Sequence, residues 1–133
     1  EGACLHTFEI NDEQEDFTRP WLENSPYADK IKFYIGDALE LLPKMDITFD
    51  LAFVDGDKRK YVEYYEMVMK VLSPGGYIIA DNTLWDGHVL EEPHRTDMQT
   101  IGIKSFNDFV YEDKRVEKVI LPLRDGLTII RKK

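Results

Sequence analysis

Cysteine is almost absent from the 133-residue sequence, in which Cys4 is the single example. One cysteine cannot form an intramolecular disulfide, which favours a reducing compartment such as the cytoplasm. No apolar run approaches the roughly 20 residues that a membrane-spanning helix needs, so we expect no membrane partner. These absences argue against a disulfide-stabilised secreted domain and against an integral membrane protein.

Positive charge is also scarce. The sequence has 17 lysines and arginines against 26 aspartates and glutamates, a formal net charge of −9. An acidic chain repels the phosphate backbone, which argues against extended nucleic-acid binding. What is present is the composition of a globular protein, 43% hydrophobic and 32% charged. The length suits one domain.

Apolar segments of strand length alternate with longer helix-like segments, the pattern of βαβ units and a mostly parallel sheet. The expected elements are strand 5–9, helix 13–24, strand 31–35, helix 37–43, strand 49–54, helix 57–72, strand 77–80, loop 81–97, helix 98–111, and strands 116–121 and 127–130. We expect residues 73–76 (Ser-Pro-Gly-Gly) to end a helix and strand 49–54 to be buried on both faces. The last two strands lie so close in sequence that they must form an antiparallel hairpin.

Acidic side chains follow four successive predicted strands, at Glu9, Asp37, Asp55 and Asp81. Ligands of open α/β sheets bind beyond the carboxyl ends of the strands, and an acidic edge repels itself unless a cation or a hydroxyl-rich ligand occupies it. Glu9 ends a strand at the place where nucleoside-binding folds have an acid that accepts from the ribose hydroxyls. An ordinary surface acid at the start of a loop explains the same position equally well. Asp37 fits a helix N-cap equally well.

Asp55, Asp81 and Asn82 offer two carboxylates and one amide oxygen. Such an all-oxygen set suits Mg²⁺, Mn²⁺ or Ca²⁺, and so few protein ligands leave coordination positions for water or substrate. An ordinary turn at Asp81 and Asn82, with Asp55 capping the next helix, explains the same spacing. The residues alone leave both interpretations open.

Lys58 and Trp85 are the remaining candidates. Lys58 falls in the first turn of a predicted helix, where the helix field disfavours a cation and would make the amine a better base. A solvent-exposed lysine is the alternative. Trp85 lies in the loop after strand 77–80 and fits two interpretations, a side chain that flanks an aromatic acceptor and a buried anchor of the loop. The three histidines lack clustered spacing and are assigned no role.

Several longer motifs occur in a specific order. They are Phe8-Glu9-Ile10-Asn11, Ile35-Gly36-Asp37-Ala38, Phe53-Val54-Asp55-Gly56-Asp57-Lys58, Leu72-Ser73-Pro74-Gly75-Gly76, Asp81-Asn82-Thr83-Leu84-Trp85-Asp86-Gly87 and Leu121-Pro122-Leu123-Arg124-Asp125-Gly126-Leu127-Thr128. Together they closely resemble the caffeoyl-CoA and catechol O-methyltransferase family, and the resemblance covers essentially the whole chain.

This resemblance implies a class I, Rossmann-like methyltransferase domain over residues 1–133, mostly parallel with an antiparallel C-terminal hairpin. It implies S-adenosylmethionine and a divalent cation as cofactors, a small hydroxylated aromatic substrate and a homodimer. The implied site residues are Glu9 on the ribose hydroxyls, Asp37 and Ala38 near the adenine, Asp55 beside both cofactor and cation, Asp81 and Asn82 on the cation, Lys58 as general base and Trp85 beside the substrate.

One departure from the family concerns its first strand and glycine-rich cofactor loop, which have no counterpart in the sequence. We therefore expect a partial domain that binds cofactor poorly by itself. Two alternatives to catechol-type methylation stay open. One is methylation of a hydroxylated uridine in transfer RNA, which the net charge of −9 disfavours. The other is an inactive binding module with the same fold.

Overall fold

The structure is a computed structural model that describes residues 2–133, which divide into two compact units, residues 2–45 and residues 46–133. The helices and strands are β1 (Leu5–Glu9), α1 (Glu15–Glu23), β2 (Ile31–Ile35), α2 (Ala38–Leu41), β3 (Phe49–Val54), α3 (Tyr61–Val71), β4 (Leu72–Asp81), α4 (Met98–Glu112), β5 (Val116–Leu121) and β6 (Leu127–Lys132). Among residues 2–133, no helix has the length and apolar character needed to cross a bilayer.

In the first unit, β1 and β2 form a two-stranded parallel sheet whose register runs from Leu5 opposite Ile31 to Glu9 opposite Ile35. Helix α1 continues through Pro20, although proline has no backbone N–H to donate. The helix ends at Glu23, and its C-cap is Asn24, whose side-chain amide donates to the carbonyl of Pro20 at 2.7 Å.

The second unit contains a four-stranded sheet in the order β3-β4-β6-β5. Strands β3 and β4 are parallel, and β6 is antiparallel to both of its neighbours. The predicted hairpin of β5 and β6 is therefore confirmed. Helices α3 and α4 pack on one face of the sheet, where the core residues include Tyr61, Tyr65, Val68, Ile78, Ile103, Phe106 and Ile130.

Strand β3 is covered on one face only. Val54 is buried, whereas Leu51 and Phe53, which point to the opposite face, are mostly exposed. The prediction that this strand is buried on both faces is wrong for the described residues. An apolar run gives the composition of a strand but not the number of its faces that are covered.

Helix α3 ends at Val71, so the expected stop before residues 73–76 is confirmed, but these four residues belong to β4, which begins at Leu72. The pairing with β3 shifts register across them, from Leu72 opposite Phe49 to Tyr77 opposite Leu51. Helix α3 ends without a glycine cap. The ammonium group of Lys132 in β6 donates instead to the carbonyl oxygens of Met69 and Leu72, at 2.8 and 2.7 Å. A lysine can cap the carbonyl end of a helix in this way, and here it comes from a strand distant in sequence.

Candidate active site

The carboxyl ends of β3 and β4 place two of the predicted metal ligands side by side. Val54 lies opposite Ala80 in the parallel register, so Asp55 and Asp81 follow at the same level on neighbouring strands. Such strands are separated by about 4.8 Å. Asn82 comes next with a left-handed backbone, φ 58°, a conformation that asparagine tolerates. Its N–H donates to Oδ1 of Asp81 at 2.7 Å.

Lys58 is buried, with 7% of its surface exposed, which rules out the interpretation of a solvent-exposed lysine. Its Nζ donates to Oδ1 of Asp55 at 2.8 Å and to the hydroxyl of Tyr61 at 2.6 Å. Lys58 opens a 3₁₀ turn that leads into α3, and the cap of this turn is Asp57, whose side chain accepts from the N–H of Arg59. Asp57 therefore takes the capping role that the sequence left open for Asp55.

Tyr61 joins these elements and is a site residue that the sequence analysis did not single out. Its hydroxyl accepts from Lys58 and lies 3.2 Å from the carbonyl oxygen of Val54 and 3.0 Å from that of Asp81. Burial raises the pKa of this phenol, and the nearby carboxylates of Asp55 and Asp81 raise it further. A tyrosine instead of a phenylalanine, three residues after the lysine, is the signal that the sequence offered.

The backbone beneath Lys58 is fixed by Gly102 of α4. A Cβ at this position would lie 2.4 Å from the carbonyl oxygen of Lys58 and 2.8 Å from Cα of Arg59. These are backbone atoms, which cannot move aside without moving the lysine. Gly102 thus permits α4 to approach the 3₁₀ turn directly.

Trp85 begins a 3₁₀ segment, Trp85–Leu90, and has an unusual backbone. Trp85 and Asp86 have φ values of 47° and 50°, in the left-handed region that costs roughly 1–2 kcal/mol for a residue other than glycine. The indole packs partly against the core, so the interpretation as a loop anchor applies. It also lines an open cavity of about 350 Å³ together with Asp86, His88, Asp97 and Asp125.

The other predicted cofactor residues, Glu9, Asp37 and Ala38, belong to the first unit. Glu9 accepts from the N–H of Asn11 at 2.8 Å. Asp37 caps α2 by accepting from the N–H of Leu39 at 2.9 Å, and Ala38 is the first residue of that helix. The capping interpretation of Asp37 is therefore confirmed, while the cofactor roles of these residues stay predictions.

The sequence as a whole matches one family. A profile described as O-methyltransferase covers residues 1–133. The chain belongs to this O-methyltransferase family. Tricin synthase 1 of Oryza sativa subsp. japonica is 34% identical to it over 134 residues, which are 90% of the chain and 53% of that protein. Caffeoyl-CoA O-methyltransferase 1 of Eucalyptus globulus is 34% identical over 99% of the chain and 57% of its own length.

The fold of this O-methyltransferase family member is shared with solved structures. The crystal structure of the O-methyltransferase from Bacillus cereus in complex with SAH superposes with a TM-score of 0.92 at 27% identity, over 100% of the chain and 64% of that protein. The predicted Rossmann-like methyltransferase fold with an antiparallel C-terminal hairpin is thereby confirmed, and the described strands pair in both directions, β1 with β2 and β3 with β4 parallel, β6 with β4 and β5 antiparallel. The chain spans just over half the length of the two curated relatives.

A cation in this family member would have oxygen ligands from the second unit. Residues 2–133 contain no group of three or more histidine, cysteine, aspartate or glutamate side chains arranged to hold a metal. The predicted set has only two carboxylates and adds an amide, which suits a hard cation that keeps water or substrate oxygens. The side chain of Asp55 is 51% exposed and has Lys58 on one of its oxygens, so the other is open to a ligand. The residues therefore fit a divalent cation.

Proposed function

We propose that this chain carries the catalytic residues of a divalent-metal-assisted O-methyltransferase that moves the methyl group of S-adenosylmethionine to a hydroxyl of a catechol-like small molecule. The observation that carries the proposal is the buried amine of Lys58, held between Asp55 and Tyr61 at the carboxyl ends of β3 and β4. Membership of the O-methyltransferase family supports the reaction class. The SAH bound by the Bacillus cereus relative, which is the demethylated form of S-adenosylmethionine, supports the methyl donor.

The divalent cation would be held by Asp55, Asp81 and Asn82. When bound, it would supply a positive charge that orients two vicinal acceptor oxygens and lowers the pKa of the hydroxyl to be methylated. Mg²⁺, Mn²⁺ and Ca²⁺ all suit this set of oxygen ligands. The names of the curated relatives, which include a caffeoyl-CoA O-methyltransferase, support an acceptor of the hydroxylated aromatic class.

Lys58 is the proposed general base. Its neutral amine takes the proton of the acceptor hydroxyl, and the resulting ammonium donates to Asp55 and to Tyr61, the two contacts described above. The acceptor oxygen then forms a bond to the methyl carbon while the carbon–sulfur bond breaks and its electron pair stays on sulfur. Alignment of oxygen, carbon and sulfur contributes most of the rate enhancement. The side chain of Trp85 flanks the acceptor.

The donor would be bound through the remaining predicted residues. Glu9 accepts from the ribose hydroxyls, and Asp37 with Ala38 lies beside the adenine. A homodimer and a cytoplasmic location complete the proposal. The homodimer is implied by the family resemblance, and the cytoplasmic location by the single cysteine of the sequence.

The test is methyl transfer from labelled S-adenosylmethionine to a catechol by the full-length protein, with Mg²⁺ and then with excess chelator. We expect transfer that the chelator abolishes and that Asp55→Ala lowers by about 10²–10³-fold. Asp46→Ala, a change at an exposed residue, is the matched control and leaves the rate unchanged.

Three results would contradict the proposal. Transfer that is insensitive to chelator would remove the cation from the mechanism. Measurable binding of S-adenosylmethionine without transfer to any vicinal diol would remove the catechol-like acceptor, and transfer RNA would then be the next acceptor to assay. Loss of both binding and transfer in the full-length protein would indicate an inactive binding module.

A further inference from the structure

The turn of the β5–β6 hairpin lies directly against the segment that carries Trp85. The backbone N–H of Thr83 donates to the carbonyl of Gly126 at 3.1 Å, and that of Leu84 donates to the carbonyl of Asp125 at 2.9 Å. A Cβ on Gly126 would lie 2.5 Å from Cγ of Leu84 and 2.8 Å from its nitrogen. The turn and the segment therefore fit together only because position 126 is glycine.

Asp125 holds this segment on both sides of Trp85. Its carbonyl oxygen accepts from Leu84, and its carboxylate oxygen Oδ1 accepts from the backbone N–H of Asp86. Trp85 and Asp86 both have left-handed backbones. The residue before Trp85 and the residue after it each donate a hydrogen bond to Asp125. A strained backbone persists only where its surroundings determine it, and here Asp125 provides two of the determining contacts.

Helix α4 fixes the two flanks of the same segment. The side-chain amide of Asn107 donates to the carbonyl of Thr83 at 2.8 Å. The ammonium of Lys104 donates to the carbonyl oxygens of Val89 and Glu91, at 3.0 and 2.9 Å. The flanks are therefore held independently of the hairpin. Loss of the Asp125 carboxylate would change the conformation chiefly at Trp85 and Asp86.

We propose that Asp125 is a positioning residue that sets the place of the Trp85 indole and thereby the affinity for the methyl acceptor. The proposal rests on the proposed function, since it takes Trp85 as the flank of the acceptor. The geometry predicts that loss of the Asp125 carboxylate weakens binding of the acceptor. Freed of its contact to Asp125, the strained pair relaxes toward a right-handed backbone, and the indole leaves the place where it lines the cavity.

The experiment uses the full-length protein labelled with fluorotryptophan, in which the resonance lost on Trp85→Phe identifies Trp85. In Asp125→Ala we expect this resonance to shift or broaden, while that of Trp21 in the first unit does not change. The KM for the acceptor rises about tenfold, as for the loss of one hydrogen bond to a charged group, while kcat changes less than about twofold. The dissociation constant of S-adenosylmethionine is unchanged.

Three further variants make the test specific. Asp125→Asn keeps the side-chain oxygen that accepts from Asp86, and we expect it to restore both the resonance and the KM. Asp125→Ser replaces the alanine variant if that variant does not fold. Asp108→Ala, at an exposed aspartate of α4, is the matched control and changes neither readout.

A resonance and a KM that both stay at their wild-type values in Asp125→Ala would overturn the proposal. A shifted resonance with an unchanged KM would overturn it too, because the turn would then serve the structure alone. If the wild-type protein methylates no catechol but the resonance still shifts, the positioning of Trp85 is supported and the proposed acceptor class fails. The spectroscopic result thus separates the two claims.

Discussion

Two tyrosines of α3, one helical turn apart, each belong to a network of polar side chains, and the two networks differ in whether they can bind a ligand. Tyr61 and Tyr65 are both completely buried, and both contact Phe106 edge to face, with ring centroids 5.3 and 6.1 Å apart. Their apolar surroundings are therefore alike, and burial raises the pKa of both phenols. The difference lies in what each hydroxyl contacts.

The network at Tyr65 is closed. The Tyr65 hydroxyl donates at 2.8 Å to Asp113, which also accepts from the backbone N–H and the guanidinium of Arg115. The Asp113 side chain is only 6% exposed, and its hydrogen bonds from Arg115 hold the pKa of its carboxyl well below the usual range. Both carboxylate oxygens have partners, so this network has nothing to offer a ligand.

The network at Tyr61 is open. Its carboxylate, Asp55, is half exposed and accepts from Lys58 through one oxygen, beside a second carboxylate at Asp81. Both networks order α3 against the rest of the second unit. The comparison shows that unused acceptor capacity, more than burial or charge, distinguishes a candidate site from a structural cluster.

Lys58→Met should give the largest loss of activity, and therefore the clearest difference between the two networks. Methionine keeps much of the apolar volume of the lysine but provides no base, so we expect kcat to fall by about 10²–10⁴-fold. Initial rates of methyl transfer by the full-length protein measure this effect. Arg115→Met, at the closed network, is the counterpart, and a comparable loss of activity in that variant would contradict the assignment.

Tyr61→Phe and Tyr65→Phe form a matched pair that removes one buried hydroxyl from each network. We expect Tyr61→Phe to lower kcat about tenfold to a hundredfold, because Lys58 loses the contact that orients it. Tyr65→Phe should leave kcat unchanged and cost about 1 kcal/mol in the free energy of unfolding. Equal effects of the two changes on kcat would mean that both hydroxyls act only through stability. Rates and urea unfolding curves give the two readouts.

Asp113→Asn should reduce the free energy of unfolding by about 1–3 kcal/mol at neutral pH. The folded-state pKa of Asp113 is depressed, so its contribution is present above the pKa of the unfolded chain, about 4, and is lost as the pH falls through the folded value. The difference between the variant and the wild type should therefore shrink below about pH 4. Unfolding measured across pH 3–7 tests this, and a difference independent of pH would refute it.

Much of the fold could be predicted from sequence because apolar runs end at polar or glycine residues. Strands 5–9, 31–35, 49–54 and 116–121 have the predicted bounds. The end of α3 was predictable, but its cap by Lys132 was not, because that contact joins residues far apart in sequence. The exposed face of β3 could not be predicted for a similar reason. Burial depends on which elements pack against a strand.

The candidate site was predictable to the extent that its residues follow strands. Asp55 and Asp81 meet because parallel strands bring their ends together, which spacing alone implies. The burial of Lys58 was not predictable, since it depends on the Tyr61 hydroxyl and on the approach of α4. Nor did the sequence indicate the left-handed backbone of Trp85, for which only Gly87 and the Asp125-Gly126 turn gave local hints.

The contact between Gly102 and the backbone of Lys58 provides a marker for comparing homologues. A related sequence with alanine or a larger residue at this position must carry its lysine on a displaced turn, because the new side chain would occupy the space of the lysine carbonyl. Glycine at this position is therefore required for the lysine to keep the place that it has in this structure. A protein engineer who transplants acceptor loops between relatives should match this position first.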